Sequence, residues 1–287
     1  MLSRKQLALE AVAKALRVRK QLGIPLSNSL SPFDAAERLG VEARFVDIPS
    51  MEGMYVAGKA PQILLSSLRP QGRRSFTCAH EIGHHVFEHG EQFDELVGEK
   101  SMLRKDNPIE FTADSFAAFF LMPKATIDNG MKLRGFSYGS LQPFDVYAMA
   151  SWLGVGYKTL ILHMRYGLNA ILHDQTQRLL RSSPQEIRFR LLGHTIATHL
   201  HMVDEHWLGR AIDMEVGDQA LVPSGTRIEG AQLFSSIDAK QGMLVEAVRP
   251  GIGRVFLENN GWAAYVRVSR RGYTGRSCFR FEEEVEE

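Results

Sequence analysis

Two histidines four residues apart, His80 and His84, form the most specific chemical pattern in the 287-residue sequence. The segment reads His80-Glu81-Ile82-Gly83-His84, and the residues around it favour a helix. Residues four apart lie on one face of an α-helix, so both imidazoles are placed to bind one metal ion. Glu81 lies about 100° around the helix from His80, where a carboxylate reaches a water rather than the metal. The pattern predicts a hydrolytic metal site with Glu81 as the general base.

A catalytic zinc ion takes three protein ligands and keeps one position open, so a third ligand is expected elsewhere. Glu110 and Asp114 stand four apart at the start of the next predicted helix, as in zincins whose third ligand is a glutamate. On this interpretation Glu110 completes the ligand set, and Asp114 accepts the other ring N–H of His80. The alternative is two surface carboxylates favoured by a helix N-terminus. The upstream motif favours the metal site, with Zn²⁺ as the cofactor and Mn²⁺ as an alternative in the cell.

Other side chains near the motif are expected to play lesser parts. His85 and His89 are turned about 140° and 180° from His80 around a helix, so they are predicted not to bind the metal. Tyr55 and Tyr138 are candidates to hydrogen-bond an oxyanion, and the sequence does not choose between them.

Composition restricts the classes of function. The chain has 34 Lys and Arg against 33 Asp and Glu, a formal charge of +1, which gives no global attraction to nucleic acid or to an anionic membrane. Hydrophobic residues make up 44% and charged residues 23%, values typical of a globular protein. The two cysteines, Cys78 and Cys278, are too few for a disulfide framework, which favours a reducing compartment. With no signal-peptide pattern and no apolar run of about 18 residues, a cytoplasmic location without membrane contact is expected.

Helical and strand-like patterns divide the chain into four predicted segments. Residues 1–130 combine an amphipathic helix, a small sheet and the two motif helices. Residues 131–175 hold a helical segment, and residues 185–281 form an α+β domain. This domain is predicted to begin with one long helix over residues 186–203 and to include a hairpin turn at 259–261. Residues 282–287 are predicted to be a solvated acidic tail.

The helical segment resembles a helix-turn-helix unit. Residues 143–168 read as two short helices broken at Gly154, with apolar residues where such a unit packs. The second helix offers Lys158 and Arg165 as candidates for contact with DNA or a partner. The alternative is a helical hairpin that serves only in packing.

Two stretches resemble the ImmA/IrrE family of metallopeptidases: RRSFTCAHEIGHHVFEHG, and then IEFTADSFAAFFLMP. In that family the histidine motif follows an arginine-rich, Phe-containing strand end and precedes a helix of the pattern Glu-x-x-Ala-Asn/Asp-x-Phe-Ala that ends in Leu-Met-Pro. Here the pattern supplies Glu110, Ala113 and Asp114, and residues 121–123 end it. Asp114 replaces the usual asparagine, so the hydrogen-bond acceptor is kept but is charged. The resemblance covers roughly residues 5 to 170.

The resemblance implies an α+β protein with three parts: a zincin-like N-terminal metallopeptidase domain with a small sheet, a helix-turn-helix-like segment, and a C-terminal α+β domain that is GAF-like. This arrangement is most similar to the radiation-response regulators of the family. It implies a site-specific zinc metallopeptidase that cleaves a helix-turn-helix repressor of the XRE class and so induces DNA-damage and radiation-response genes. A GAF-like domain further implies a small-molecule signal.

A regulator without enzymatic activity is the alternative, in which residues 143–168 bind DNA, the C-terminal domain senses a signal and the metal is structural. A structural zinc site is normally closed by four protein ligands. Three ligands and a base are evident in this sequence, which favours catalysis.

Overall fold

The computed structural model describes residues 3–90, 92–95, 107–239, 242–259 and 261–282, without the side chains of 92–95 and 237–239. These residues form helices and small sheets, which confirms the predicted α+β class. The chain divides into two compact units. The first comprises Met1–Ile127 and Gly272–Cys278, and the second comprises Asp128–Arg271 and Phe279–Glu287. The four-segment division drawn from the sequence stays a prediction.

The first helix, α1 (Arg4–Gln21), begins with a capping box. The Ser3 hydroxyl accepts from the backbone N–H of Gln6, and the Gln6 side chain accepts from the backbone N–H of Ser3. These reciprocal bonds satisfy two N–H groups that lack partners within the helix. A buried stripe at Ala11, Ala15 and Val18 gives α1 the apolar face predicted from its periodicity.

Helix α2 (Pro32–Arg38) and the two motif helices, α3 (Gln71–Val86) and α4 (Pro108–Leu121), belong to the first unit. Helix α5 (Lys124–Leu133) contains the boundary between the two units. Helix α3 contains the histidine motif and begins next to Pro70. Helix α4 begins at Pro108, and the Asn107 side chain accepts from the backbone N–H of Ile109 at 3.0 Å. Both motif helices are therefore confirmed, with Glu110 in the first turn of α4.

A buried arginine ties α1 to the end of α4. The Arg19 guanidinium donates to the carbonyl oxygens of Phe120 at 2.7 Å, Pro25 at 2.8 Å and Asn28 at 2.5 Å. Burial lowers the pKa of Arg19 to about 10, which leaves it charged at neutral pH. Hydrogen bonds from a charged donor are stronger than neutral ones, so they hold both helices in place.

The predicted small sheet before α3 is confirmed. Its strands are β1 (Glu42–Val46), β2 (Met51–Val56), β3 (Gln62–Ser66), β4 (Gln92–Glu95) and β13 (Gly275–Arg276). Their order is β13-β1-β3-β2-β4, with β1 and β3 parallel and the other neighbours antiparallel. Helix α3 packs on β2 and β3, so the sheet supports the motif helix.

The helices of the second unit are α6 (Pro143–Leu153), α7 (Tyr157–Leu162), α8 (His173–Leu180) and α9 (Pro184–Leu192), and a π-helical turn, His163–Gly167, follows α7. The predicted break at Gly154 is confirmed. Gly154 has φ +68°, a left-handed conformation that glycine adopts without steric cost.

The second unit also contains two four-stranded sheets, ordered β5-β7-β10-β9 and β6-β12-β11-β8. The strands are β5 (Leu200–Met202), β6 (Ile212–Glu215), β7 (Gln219–Val222), β8 (Arg227–Glu229), β9 (Phe234–Ala239), β10 (Gly242–Ala247), β11 (Gly251–Phe256) and β12 (Ala263–Ser269). Strands β11 and β12 pair in antiparallel fashion, which confirms the predicted hairpin, although residue 260 of its turn lies outside the described residues.

The single long helix predicted over residues 186–203 is wrong. Helix α9 ends at Leu192, Gly193 has φ +77°, and β5 pairs with β7 in parallel. Of the predicted acidic tail, residues 283–287 lie outside the described residues. Within the described ranges, no helix combines the length and hydropathy needed to cross a membrane.

Candidate metal centre

The close approach of α3 and α4 begins at a glycine inside the motif. A Cβ atom added to Gly83 would lie 3.2 Å from both the Ala113 Cα and the Phe116 Cδ1 atoms. A hydrogen in place of a side chain lets the two backbones pack together. Because α4 carries Glu110 in its first turn, this contact brings the glutamate towards the two histidines of α3.

The structure brings together the three predicted ligands, and all three are buried. The Nε2 atoms of His80 and His84 lie 2.9 Å apart. One Glu110 oxygen lies 3.5 Å from the His80 Nε2 atom, and the other lies 3.7 Å from the His84 Nε2 atom. The two rings and the carboxylate therefore converge on one point.

These separations fit a divalent metal ion. Donors at 2.0–2.1 Å from a tetrahedral zinc ion are about 3.3 Å from one another, and the observed distances of 2.9, 3.5 and 3.7 Å bracket that value. Two imidazoles and a carboxylate suit zinc, and manganese accepts the same donors. Among the residues that the structure describes, no other group of three His, Cys, Asp or Glu side chains is assembled in this way.

Asp114 lies where the sequence predicted it, beside the first histidine. The His80 Nδ1 atom is 2.9 Å from the Asp114 Oδ1 atom, and the Asp114 side chain is 64% exposed. Burial alone would lower the pKa of His80, but its hydrogen bonds to Asp114 and Glu110 raise that pKa well above the ordinary value. The carboxylate therefore holds the Nδ1 proton and leaves Nε2 directed towards Glu110.

Glu81 is fully buried on the face of α3 that packs against β2. A Cβ atom on Gly53 of β2 would lie 2.7 Å from the Glu81 Oε1 atom and closer still to the Thr77 Cγ2 atom. Gly53 is not among the residues predicted from the sequence, although a glycine inside a strand is a signal of a close approach. Glycine at this position leaves the space that the Glu81 carboxylate fills.

Two side chains that follow the second ligand have distinct partners. The Nδ1 atom of His85 lies 2.8 Å from the Tyr55 hydroxyl, and burial lowers the pKa of His85. The Nδ1 atom of His89 lies 3.1 Å from the Nδ1 atom of His84. His89 thus contacts a ligand, a relation that helical periodicity did not reveal because His89 lies beyond the end of α3.

The other predicted candidates lie in the second unit. The Tyr138 hydroxyl donates to Asp128 at 2.8 Å, and burial raises the pKa of Tyr138. Lys158 is exposed on α7, whereas Arg165 of the π-helical turn is half-buried and donates to Asn169 at 3.0 Å. DNA contact by Lys158 and Arg165 stays a prediction.

A family model matches the part of the chain that builds this centre. The model is that of the IrrE N-terminal-like domain, peptidase family M78, and it matches residues 36–140. The chain therefore carries an IrrE N-terminal-like domain over residues 36–140. Its IrrE N-terminal-like domain spans α3 and α4 with all the residues of the candidate centre. This match supports the predicted zincin-like domain and the metallopeptidase character of the family.

The remaining comparisons are more distant. No curated protein is significantly similar to the chain in sequence. A solved structure described as a Mycobacterium tuberculosis transcriptional regulator matches with a TM-score of 0.35 and 14% identity. The match covers 60% of this chain and 49% of the regulator, so it spans about half the length of that protein. A likeness at this TM-score does not define the fold or the function of this chain.

Proposed function

We propose that this protein is a metallopeptidase that hydrolyses a peptide bond at the centre formed by His80, His84 and Glu110. The observation that carries the proposal is the convergence of these three buried donors beside the buried carboxylate of Glu81. Three protein ligands leave one coordination position for water or substrate, as hydrolytic zinc sites require. The IrrE N-terminal-like domain supports the same reaction class.

The side chains of the candidate centre have separate roles in hydrolysis. Zinc, when bound, acts as a Lewis acid and lowers the pKa of water towards about 7. Glu81 removes the proton from the attacking water and returns it to the leaving amine. Asp114 orients His80 through its Nδ1–H group. Burial of Glu81 and of the ligands excludes bulk water, which strengthens each of these electrostatic interactions.

The substrate that we propose is a helix-turn-helix repressor of the XRE class, whose cleavage induces DNA-damage and radiation-response genes. The proposal rests on the resemblance of the two motif segments to the ImmA/IrrE family and on the matching family model. The C-terminal part is proposed to be GAF-like and to receive a small-molecule signal. Zinc is proposed as the metal, and the cytoplasm as the location.

The proposal is tested with Glu81→Gln, which removes the base and keeps the size of the side chain. New protein N-termini are compared by mass spectrometry in stressed cells that carry the wild type, Glu81→Gln or Glu10→Gln. Glu10 is exposed on α1 and serves as the matched control. We expect a new terminus inside a repressor with the wild type and the control, and none with Glu81→Gln. Metal content measured on the purified proteins is expected to be equal in all three.

Two results would contradict the proposal. If Glu81→Gln generates the same terminus, Glu81 is not the base. If no terminus depends on Glu81 and the stress response stays intact, the protein is a regulator without peptidase activity.

A further inference from the structure

The chain reverses direction at the end of α3 in a way that returns one side chain to the candidate metal centre. The backbone N–H of His89 donates to the carbonyl of His84 at 3.1 Å, and that of Glu88 donates to the carbonyl of His85 at 3.2 Å. These two bonds define a Schellman motif, whose left-handed position is normally a glycine. Here that position is Glu88, with φ +57°. A non-glycine residue in this conformation is uncommon and costs conformational energy.

The result of the turn is that the His89 ring lies against the His84 ring. The ring centroids are 5.2 Å apart at 67°, and the two Nδ1 atoms are 3.1 Å apart. On its other side, His89 stacks on Phe87 with a 14° interplanar angle, and Phe87 meets Phe116 of α4 edge to face. The half-buried His89 ring therefore contacts the His84 and Phe87 rings, and Phe87 in turn contacts the buried Phe116 ring.

The neighbours of the two ring nitrogens of His84 indicate which nitrogen carries the proton. Its Nε2 atom points to His80 and Glu110, so in a metal-binding ring the proton is on Nδ1. An Nδ1–H group needs an acceptor, and the Nδ1 atom of His89 lies at hydrogen-bond distance. His89 then carries its own proton on Nε2. Asp114 does the same for His80, so each histidine ligand has an acceptor behind it.

We propose that His89 is a positioning residue that fixes the tautomer and ring orientation of His84 for metal binding. The inference rests on the proposed metal centre and extends it to a residue outside the motif. Partners that accept from a histidine ligand typically change metal affinity by about 10- to 100-fold when they are removed.

The test measures Zn²⁺ affinity of the full-length protein by competition with a chromophoric chelator, together with the absorption spectrum of the Co²⁺-loaded protein. His89→Leu keeps an apolar side chain against Phe87 and accepts no hydrogen bond. His89→Asn places its Oδ1 atom where the Nδ1 atom stands, whereas His89→Gln places its oxygen one bond further out. His194→Leu removes an exposed histidine of the second unit and controls for adventitious binding.

We expect His89→Leu and His89→Gln to bind Zn²⁺ about 10- to 100-fold more weakly and to alter the Co²⁺ spectrum. His89→Asn is expected to stay close to the wild type, and His194→Leu to match it. If His89→Leu does not fold, the contrast between Asn and Gln decides the question.

Other outcomes overturn the inference. If His89→Leu binds Zn²⁺ as tightly as the wild type, His89 does not position His84, and the proposed function is unaffected. Equal weakening by Asn and Leu assigns the effect to ring packing rather than to the hydrogen bond. If the wild type itself binds no Zn²⁺, both the inference and the proposed function fail.

Discussion

At the scale of single residues, the position of the proposed base depends on a glycine in another element. Gly53 of β2 faces Glu81, and the space for the carboxylate exists because this residue has no side chain. His80 and His84 lie close to each other and to Glu110 of α4, whereas Gly53 faces Glu81 and Thr77. The placement of the base and the binding of the metal are therefore separable by mutation.

Gly53→Ala is expected to displace Glu81 and to reduce peptidase activity by about 100-fold, since a shift near 1 Å at a catalytic group has this order of effect. Metal content is expected to stay unchanged. The measurements are the yield of the Glu81-dependent N-terminus and the metal content of the purified protein. Gly139→Ala is the control, because an added Cβ there meets no atom within 4 Å. Full activity in Gly53→Ala would show that β2 does not position the base.

Some residues of the candidate centre could be predicted from the sequence and others could not, for physical reasons. His80, Glu81 and His84 share one helix, so periodicity alone relates their side chains. Gly53 contacts Glu81 across 28 positions of sequence, a relation that no local pattern contains. His89 was missed for a different reason: periodicity assumes a continuing helix, whereas the chain turns at Glu88.

At the scale of elements, the centre requires α3 and α4 to lie unusually close. Gly83 provides the closeness, since its Cα faces the backbone of Ala113 at the level of the two histidines. The nearest atoms belong to the Ala113 backbone and to the buried Phe116 ring, and neither moves as easily as the flexible end of a side chain. Gly83 therefore acts on the spacing of the two helices, whereas Gly53 acts on the side chains of Glu81 and Thr77.

Gly83→Ala is expected to separate the two helices, to lower the free energy of unfolding by about 1 kcal/mol and to weaken metal binding. Overpacking costs about 1–3 kcal/mol, and the better helix propensity of alanine returns about 1 kcal/mol. Urea unfolding of the metal-free protein gives the first quantity, and chelator competition gives the second. A variant that is more stable and binds metal as tightly as the wild type would show that the helices have room for a methyl group.

Element types were predicted best where local signals agreed. Helix α4 has a cap at Asn107, Pro108 at its first position and an apolar face, and it was predicted correctly. The prediction of a helix over residues 186–203 failed because α9 ends at Leu192 and Leu200–Met202 form β5, which pairs with β7 nearly twenty positions later. Gly193 is a local signal for the end of α9, but the apolar residues that follow it fit a continued helical pattern.

At the scale of the whole molecule, the two units are not consecutive in the chain. The C-terminal part supplies β13 to the sheet of the first unit, where it pairs with β1, and residues from Phe279 onward belong to the second unit again. The pairing of β13 with β1 joins strands more than 200 positions apart, and hydrophobic patterning does not predict such a pairing. It means that the C-terminal segment contributes to the stability of both units.

Within the second unit, the C-terminal segment is held by a buried ionic cluster. Asp213 of β6 accepts from Arg267 at 2.6 and 2.9 Å and from Arg280 at 3.2 Å. Burial alone would raise the pKa of Asp213, but Arg280 and Arg267 hold it below the ordinary value of 3.8. A depressed pKa in the folded state means that the ionised carboxylate stabilises the fold.

Ionisation of Asp213 makes the free energy of unfolding depend on pH. The contribution of Asp213 is fully present above about pH 3.8, where the unfolded chain is also ionised, and it is lost as the pH falls through the lower pKa of the folded state. Asp213→Asn is expected to lower the free energy of unfolding by about 3–5 kcal/mol at pH 7, because two arginines lose their buried partner. The difference in the free energy of unfolding between variant and wild type should decrease as the pH falls below about 3.8. Urea unfolding across pH 2.5 to 7, with the exposed Asp47→Asn as control, measures this difference. A difference that stays constant with pH would mean that the carboxylate's charge does not stabilise this unit.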